Sequence, residues 1–134
     1  MNCSSSEAAV TPAPSARLLV VDDDEAVRTG LRCVLLTEKY QVACARNGLE
    51  ASQAFREHPC DLALIDMNMP LQNGWGTIAS LRFLNPALPV ILITARPDQR
   101  ALAREAGIML MEKPLNLKVL LQRIRELLSA PLPA

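Results

Sequence analysis

Aromatic side chains and long hydrophobic runs are both scarce in this 134-residue chain. Phe, Trp and Tyr make up 3% of the residues, and the apolar runs are only about four to six residues long. A helix needs about 20 consecutive apolar residues to cross a bilayer, and the N-terminus lacks the basic-then-apolar order of a signal peptide. We therefore predict a cytoplasmic protein without membrane contact.

An excess of charge of either sign is also absent. The 14 basic and 14 acidic side chains cancel, and no block of like charge occurs. Proteins that bind a polyanion usually show a basic run or a net positive charge. We therefore expect no direct nucleic-acid binding by this chain.

Paired cysteines and clustered histidines, the usual ligands of structural zinc, are missing as well. Cys3, Cys33, Cys44 and Cys60 form no CxxC pair, and His58 is the one histidine. Zinc sites and disulfide frameworks depend on such spacings. We expect free thiols.

Three segments differ in composition. Residues 1–16 are rich in Ser, Ala and Pro without an apolar period, and we predict that they are disordered. Half of the chain is hydrophobic, enough for one core, so residues 17–129 are predicted to form a single domain. Residues 130–134 are interpreted as a tail or the start of a linker.

Short unbroken apolar runs alternate with segments of helical period. The predicted strands are 18–21, 40–45, 62–65, 90–93 and 108–111. Helices are predicted after each strand, with weaker patterns at 49–57, 75–84 and 98–106 and a leucine-rich stripe over 117–128. The unbroken strand pattern suits strands covered on both faces.

This alternation predicts an α/β fold. A closed eight-stranded barrel would need nearly twice the chain, which leaves an open sheet with helices on both sides. We predict a three-layer (βα)5 doubly wound sandwich with a five-stranded parallel sheet of order 2-1-3-4-5.

Polar residues follow four of the five predicted strands. The first is followed by Asp22, Asp23 and Asp24, the third by Asp66 and Asn68, the fourth by Thr94 and the fifth by Glu112 and Lys113. The second strand, which ends in Ala45 and Arg46, would lie away from the switch point of a 2-1-3-4-5 sheet. One aspartate at a strand end is usually a cap or turn residue, but their joint placement favours a site.

The side chains at these strand ends suit phosphoryl chemistry. Asp22, Asp23 and Asp66 would repel one another unless a cation neutralised them, and Mg²⁺ is the natural choice. Asp66 has the character of a nucleophile, and Thr94 and Lys113 provide a hydroxyl and a positive charge for phosphoryl oxygens.

Four segments at these strand ends resemble the receiver domain of response regulators in two-component signalling, of the chemotaxis-regulator type. They are LLVVDDDE at 18–25, DLALIDMNMP at 61–70, VILITA at 90–95 and EKPL at 112–115. The resemblance covers about residues 17–128.

This resemblance implies a role for each site residue. Asp66 would be phosphorylated by a sensor histidine kinase or a histidine phosphotransfer protein. Mg²⁺, with Mn²⁺ as a substitute, would be held by Asp22, Asp23, Asp66 and the backbone carbonyl of Asn68. Thr94 and Lys113 would bind phosphoryl oxygens, and Lys113 would precede a cis Pro114.

The chain departs from the family pattern at Leu110, where receivers often carry Tyr or Phe. We therefore expect a weaker or different conformational change. An unknown downstream protein would bind the face formed by the fourth helix, the fifth strand and the fifth helix. On the fourth helix, Arg96, Arg100 and Arg104 are interpreted as a solvated face. Trp75 in the third helix is interpreted as a packing residue.

Other functions remain open from the sequence. A phosphatase of the haloacid-dehalogenase type also uses an aspartate nucleophile, but Asn68 stands where its acid/base aspartate is needed. A scaffold that binds partners without phosphorylation is a second alternative. We expect a phosphoacceptor that assists its own phosphorylation and dephosphorylation, not a turnover enzyme, and either a stand-alone receiver or one cut from a longer regulator.

Overall fold

Strands and helices alternate along the chain in the computed structural model, which describes residues 16–67, 74–95 and 97–129. The strands are β1 (Arg17–Val21), β2 (Gln41–Ala45), β3 (Leu62–Asp66), β4 (Val90–Thr94) and β5 (Met109–Glu112). The helices are α1 (Glu25–Thr37), α2 (Gly48–Glu57), α3 (Gly74–Leu84), α4 (Arg100–Glu105) and α5 (Leu117–Ser129). Residues 1–15, 130–134 and Asn68, on which three predictions fall, lie outside the described residues.

The five strands form one parallel sheet of order β2-β1-β3-β4-β5. The predicted α/β class and strand order are therefore confirmed. Because β1 lies between β2 and β3, the chain reverses its winding direction there. Such a reversal opens a crevice at the carboxyl ends of the central strands.

Two separate cores cover the two faces of the sheet. Alternate strand residues such as Leu18 and Val20 pack with α1 and α5, mainly against Leu35, Leu120 and Ile124. The intervening residues pack with α2, α3 and α4 on the other face. Alternating directions along a strand explain why both kinds of position are apolar.

The expectation of strands buried on both faces holds for β1, β3 and β4 but is wrong for the edges. In β2 only Ala45 is fully buried, and every residue of β5 is half-buried. An edge strand has a neighbour on one side only, so part of its surface stays in contact with water. Their apolar residues still pack against the cores.

The fourth helix also differs from its predicted form. The segment predicted as one helix over 98–106 is a 3₁₀ turn (Pro97–Gln99) followed by six α-helical residues. Such tight turns are frequent at helix ends. Gly107, at a φ of 69°, ends the helix with its N–H bonded to the Arg104 carbonyl.

Two smaller expectations concern the cysteines and the membrane. Cys33, Cys44 and Cys60 are free, and burial raises the pKa of the Cys60 thiol to about 11, so that it stays protonated. Among the described helices, none has the length and apolar character of a membrane span.

Candidate functional site

Three carboxylates meet at the carboxyl ends of β1 and β3. Asp66 is the last residue of β3, and the pairing of Val21 with Ile65 places Asp22 at the same level. Candidate ligand oxygens of Asp22, Asp23 and Asp66 all lie within 4.8 Å of one another. Asp22 and Asp66 are buried, whereas Asp23 is exposed. The cluster therefore opens to solvent on the side of Asp23.

The third aspartate of the acidic run has a different task. Asp24 is the N-cap of α1, and its side chain accepts hydrogen bonds from the backbone N–H groups of Ala26 and Val27. Asp22 Oδ1 in turn accepts from the Asp24 N–H at 2.8 Å. This local turn fixes the direction of the Asp22 carboxylate.

Lys113 brings a positive charge to the cluster. Its Nζ lies 2.8 Å from Asp66 Oδ1, and its backbone N–H donates to the Thr94 carbonyl at 2.8 Å. The contact is an ion pair to a buried acceptor, because Asp66 Oδ1 has no hydrogen-bond partner among the described residues. The Lys113–Pro114 bond is cis, as the resemblance implied.

The electrostatics of the site show an excess of negative charge. Burial raises the pKa of Asp22, and the neighbouring charge of Asp66 adds to this effect, while the Asp24 hydrogen bond opposes it. The contact with Asp66 raises the pKa of Lys113 against the effect of desolvation. Three carboxylates and one ammonium group leave a formal charge of −2.

These donors fit a hard divalent cation. Buried carboxylates with like charge are unfavourable together unless a cation neutralises them. The buried Asp66 Oδ1, which has the Lys113 ammonium beside it but no hydrogen-bond partner among the described residues, offers a ligand atom. Oxygen donors of this kind suit Mg²⁺. The Asn68 carbonyl, predicted as a further ligand, lies outside the described residues.

The remaining predicted residues lie on β4 and β5. Thr94 is completely buried and follows Ile93, the partner of Asp66 across the sheet. Leu110 is half-buried on β5, packed against the core shared by α2, α3 and α4. A groove of about 360 Å³ is lined by Arg100, Ala103, Arg104, Ile108, Leu110 and Glu112.

Two features of the site were missed at the sequence level. At Gly74, the first residue of α3, a Cβ would lie 3.0 Å from the Asp66 carbonyl oxygen and 2.8 Å from Leu92 Cδ1. The Arg28 guanidinium donates to the Asp22 carbonyl at 2.8 Å. The Asn73-Gly74 pair was the available signal for the first, and the sequence carried none for the second.

A doubly wound parallel sheet with an acidic cluster, a threonine and a lysine at the carboxyl ends of its strands defines the receiver class of signalling domain. Residues 18–125 match the response regulator receiver domain family. The chain therefore belongs to this family, which functions in two-component signalling.

Known response regulators and solved receivers agree with this assignment. Response regulator MprA of Mycobacterium bovis is 37% identical over 122 residues, which are 89% of this chain and 53% of that protein. The chain thus spans about half the length of the regulators it matches. The non-phosphorylated HemR receiver domain of Leptospira biflexa is 29% identical with a TM-score of 0.81, covering 90% of this chain and 99% of that one.

A further similar structure contains a metal. The response regulator TrrA of Thermotoga maritima, solved in complex with Mg²⁺-BeF, is 31% identical with a TM-score of 0.76. The match covers 84% of this chain and 98% of that one.

Proposed function

We propose that this domain is a phosphorylation switch in which Asp66 accepts a phosphoryl group from a phosphohistidine donor. The observation that carries the proposal is the buried Asp66 carboxylate, placed between a lysine ammonium 2.8 Å away and two further aspartates. A purely structural ion pair would not need the additional carboxylates, which make the site unfavourable without a cation.

The chemistry follows from the positions of these groups. An Asp66 carboxylate oxygen attacks the phosphorus atom, a new O–P bond forms, and the N–P bond to the donor imidazole breaks with its electron pair returning to nitrogen. Lys113 and Thr94 bind the oxygens of the transferred group. Asp22, Asp23 and Asp66 would hold Mg²⁺, which when bound would neutralise the charge on those oxygens.

The donor is proposed to dock beside α1 and the loop after β5. A cavity of about 220 Å³ lies there, lined by Asp22, Val27, Ile93, Lys113, Pro114 and Leu115. Apolar walls next to a charged site suit a partner that covers the site and excludes water during transfer. A sensor histidine kinase or a histidine phosphotransfer protein in the cytoplasm fits this role.

We propose that a downstream protein binds the face formed by α4, β5 and α5, at the β5 edge of the sheet. The groove beside Leu110 lies on this face and combines apolar walls with the charged side chains of Arg100, Arg104 and Glu112. A downstream protein would recognise a change in this surface. The domain itself is proposed to be a phosphoacceptor without substrate turnover.

Labelling with a small phosphodonor tests the proposal. Incubation with acetyl phosphate and Mg²⁺ should add one phosphoryl group, seen by intact mass, and EDTA should prevent the addition. Asp66→Asn should abolish labelling, whereas Asp61→Asn, an exposed aspartate just before the other end of β3, should leave it unchanged. No labelling of the wild type, or equal labelling of the Asp66 variant, would contradict the switch and favour a phosphorylation-independent scaffold.

A further inference from the structure

Two side-chain contacts hold the beginning of α4. Trp75 Nε1 donates to Gln99 Oε1 at 2.7 Å, and Arg100 Nε and Nη2 lie 2.8 and 2.6 Å from Glu112 Oε2. Gln99 and Arg100 are consecutive residues, while Trp75 belongs to α3 and Glu112 to β5. We call these two contacts the α4 clamp.

The helix depends on the clamp because its own N-terminus is weakly capped. Gln99 occupies the N-cap position, but its side chain makes no capping hydrogen bond. Its amide is instead turned toward Trp75, and the residue is 8% exposed. The Gln99 amide nitrogen donates to Asp98 Oδ1 at 3.4 Å, and the amide oxygen accepts from Trp75. Because a buried acceptor without a donor is costly, the position of this oxygen depends on the indole.

The two outer members of the clamp, Trp75 and Glu112, are each next in sequence to a residue that lies beside Asp66. Trp75 follows Gly74, whose N–H donates to the Met67 carbonyl and where a Cβ would lie 3.0 Å from the Asp66 carbonyl oxygen. Glu112 precedes Lys113, whose ammonium lies 2.8 Å from Asp66 Oδ1. A displacement at Asp66 is therefore transmitted to α4 through Trp75 on one side and through Glu112 on the other.

We propose that the α4 clamp holds α4 in its unphosphorylated position and is released when Asp66 is phosphorylated. This inference rests on the proposed function and deepens it. Lys113 must exchange its contact with Asp66 Oδ1 for a phosphoryl oxygen, and that movement displaces Glu112 from Arg100. The clamp then carries the signal to α4 without an aromatic side chain at position 110.

The single tryptophan makes the clamp observable. Adding Mg²⁺ and beryllofluoride, which mimics the phosphoryl group, should shift the indole ¹⁵N–¹H resonance of Trp75 and change its fluorescence. Because the clamp stabilises the unphosphorylated state, Gln99→Ala and Glu112→Gln should each bind Mg²⁺-beryllofluoride about three- to tenfold more tightly, measured by ¹⁹F NMR. Gln53→Ala on α2 and Glu126→Gln, which breaks the Arg123–Glu126 pair of α5, are matched controls expected to show wild-type affinity.

A double variant separates the hydrogen bond from general loosening. If the Trp75–Gln99 contact is responsible, Trp75→Phe and Gln99→Ala should raise the affinity by similar factors, and the pair together by no more than either alone. Glu112→Gln lies outside the core and tests the second contact independently. Wild-type binding with an unmoved Trp75 resonance, or variants with unchanged or weaker affinity, would overturn the clamp alone. Absence of wild-type binding would overturn the proposed function together with it.

Discussion

The helices α4 and α5 lie on opposite faces of the sheet and are held in very different ways. The 13 residues of α5 bury Leu120 and Ile124 completely, and the Asn116 side chain accepts from the Val119 N–H at its start. The six residues of α4 bury Ala103 alone, without a side-chain cap. Burial of large apolar side chains holds a helix firmly against the sheet, whereas a helix held mainly by polar contacts is able to move.

The largest expected effect comes from removing the anchor of α5. Leu120→Ala should lower the free energy of unfolding by about 2–5 kcal/mol, because it creates a cavity at a completely buried position. The matched change on α4, Leu102→Ala, should cost within about 0.5 kcal/mol, since Leu102 is 51% exposed. Urea unfolding followed by circular dichroism measures both. Similar losses for the two variants would remove the distinction between the helices.

A second, smaller effect concerns the contact between α3 and the phosphoacceptor strand. Gly74→Ala places a Cβ against Leu92 and the Asp66 backbone and should cost about 1–3 kcal/mol through overpacking. It should also weaken Mg²⁺-beryllofluoride binding, because relief of the contact with the Asp66 carbonyl moves the start of α3 away from the end of β3.

The matched control for this change is Gly30→Ala in α1. A Cβ at Gly30 meets nothing within 4 Å, and alanine is the better helix former, so this variant should gain about 0.5–1 kcal/mol. If both glycine variants lost stability to the same extent, close packing at Gly74 would not explain the result.

Most of the sheet and the acidic cluster could be predicted, because both depend on local patterns. Short apolar runs specified all five strands to within one residue at each end, and the position of polar groups after them indicated the strand order. The acidic cluster at Asp22, Asp23 and Asp66 followed from the same placement. Its geometry is set by strand register, which buried apolar residues determine strongly.

The contacts that hold the start of α4 could not be predicted, because they are tertiary contacts. Gln99 is 24 residues from Trp75, and nothing local to either residue indicates their hydrogen bond. Arg100 was grouped with a solvated helix face, but its position beside β5 pairs it with Glu112. The run of three aspartates likewise did not show that Asp24 is the cap. Such assignments require the path of the chain.

The smallest expected effect concerns the acidic cluster of the site, and it is tested by removing the charge of Asp22. Burial raises the pKa of this carboxyl above its ordinary value of 3.8, so the folded domain favours the protonated form. This contribution to stability is complete below 3.8 and is lost as the pH rises through the raised pKa. At neutral pH and without metal, Asp22→Asn should therefore stabilise the domain.

The pH and metal dependence of this variant identify the cause. Asparagine keeps the acceptor for the Asp24 N–H and removes only the charge. The gain over wild type, measured by urea unfolding in EDTA, should therefore shrink as the pH falls through the raised pKa. Saturating Mg²⁺ should reverse the order, because binding stabilises the wild type more than the variant. A gain in stability that persisted in acid, or in Mg²⁺, would point to packing instead of charge. As a control, Asp23→Asn should show a smaller gain in EDTA, because Asp23 is exposed.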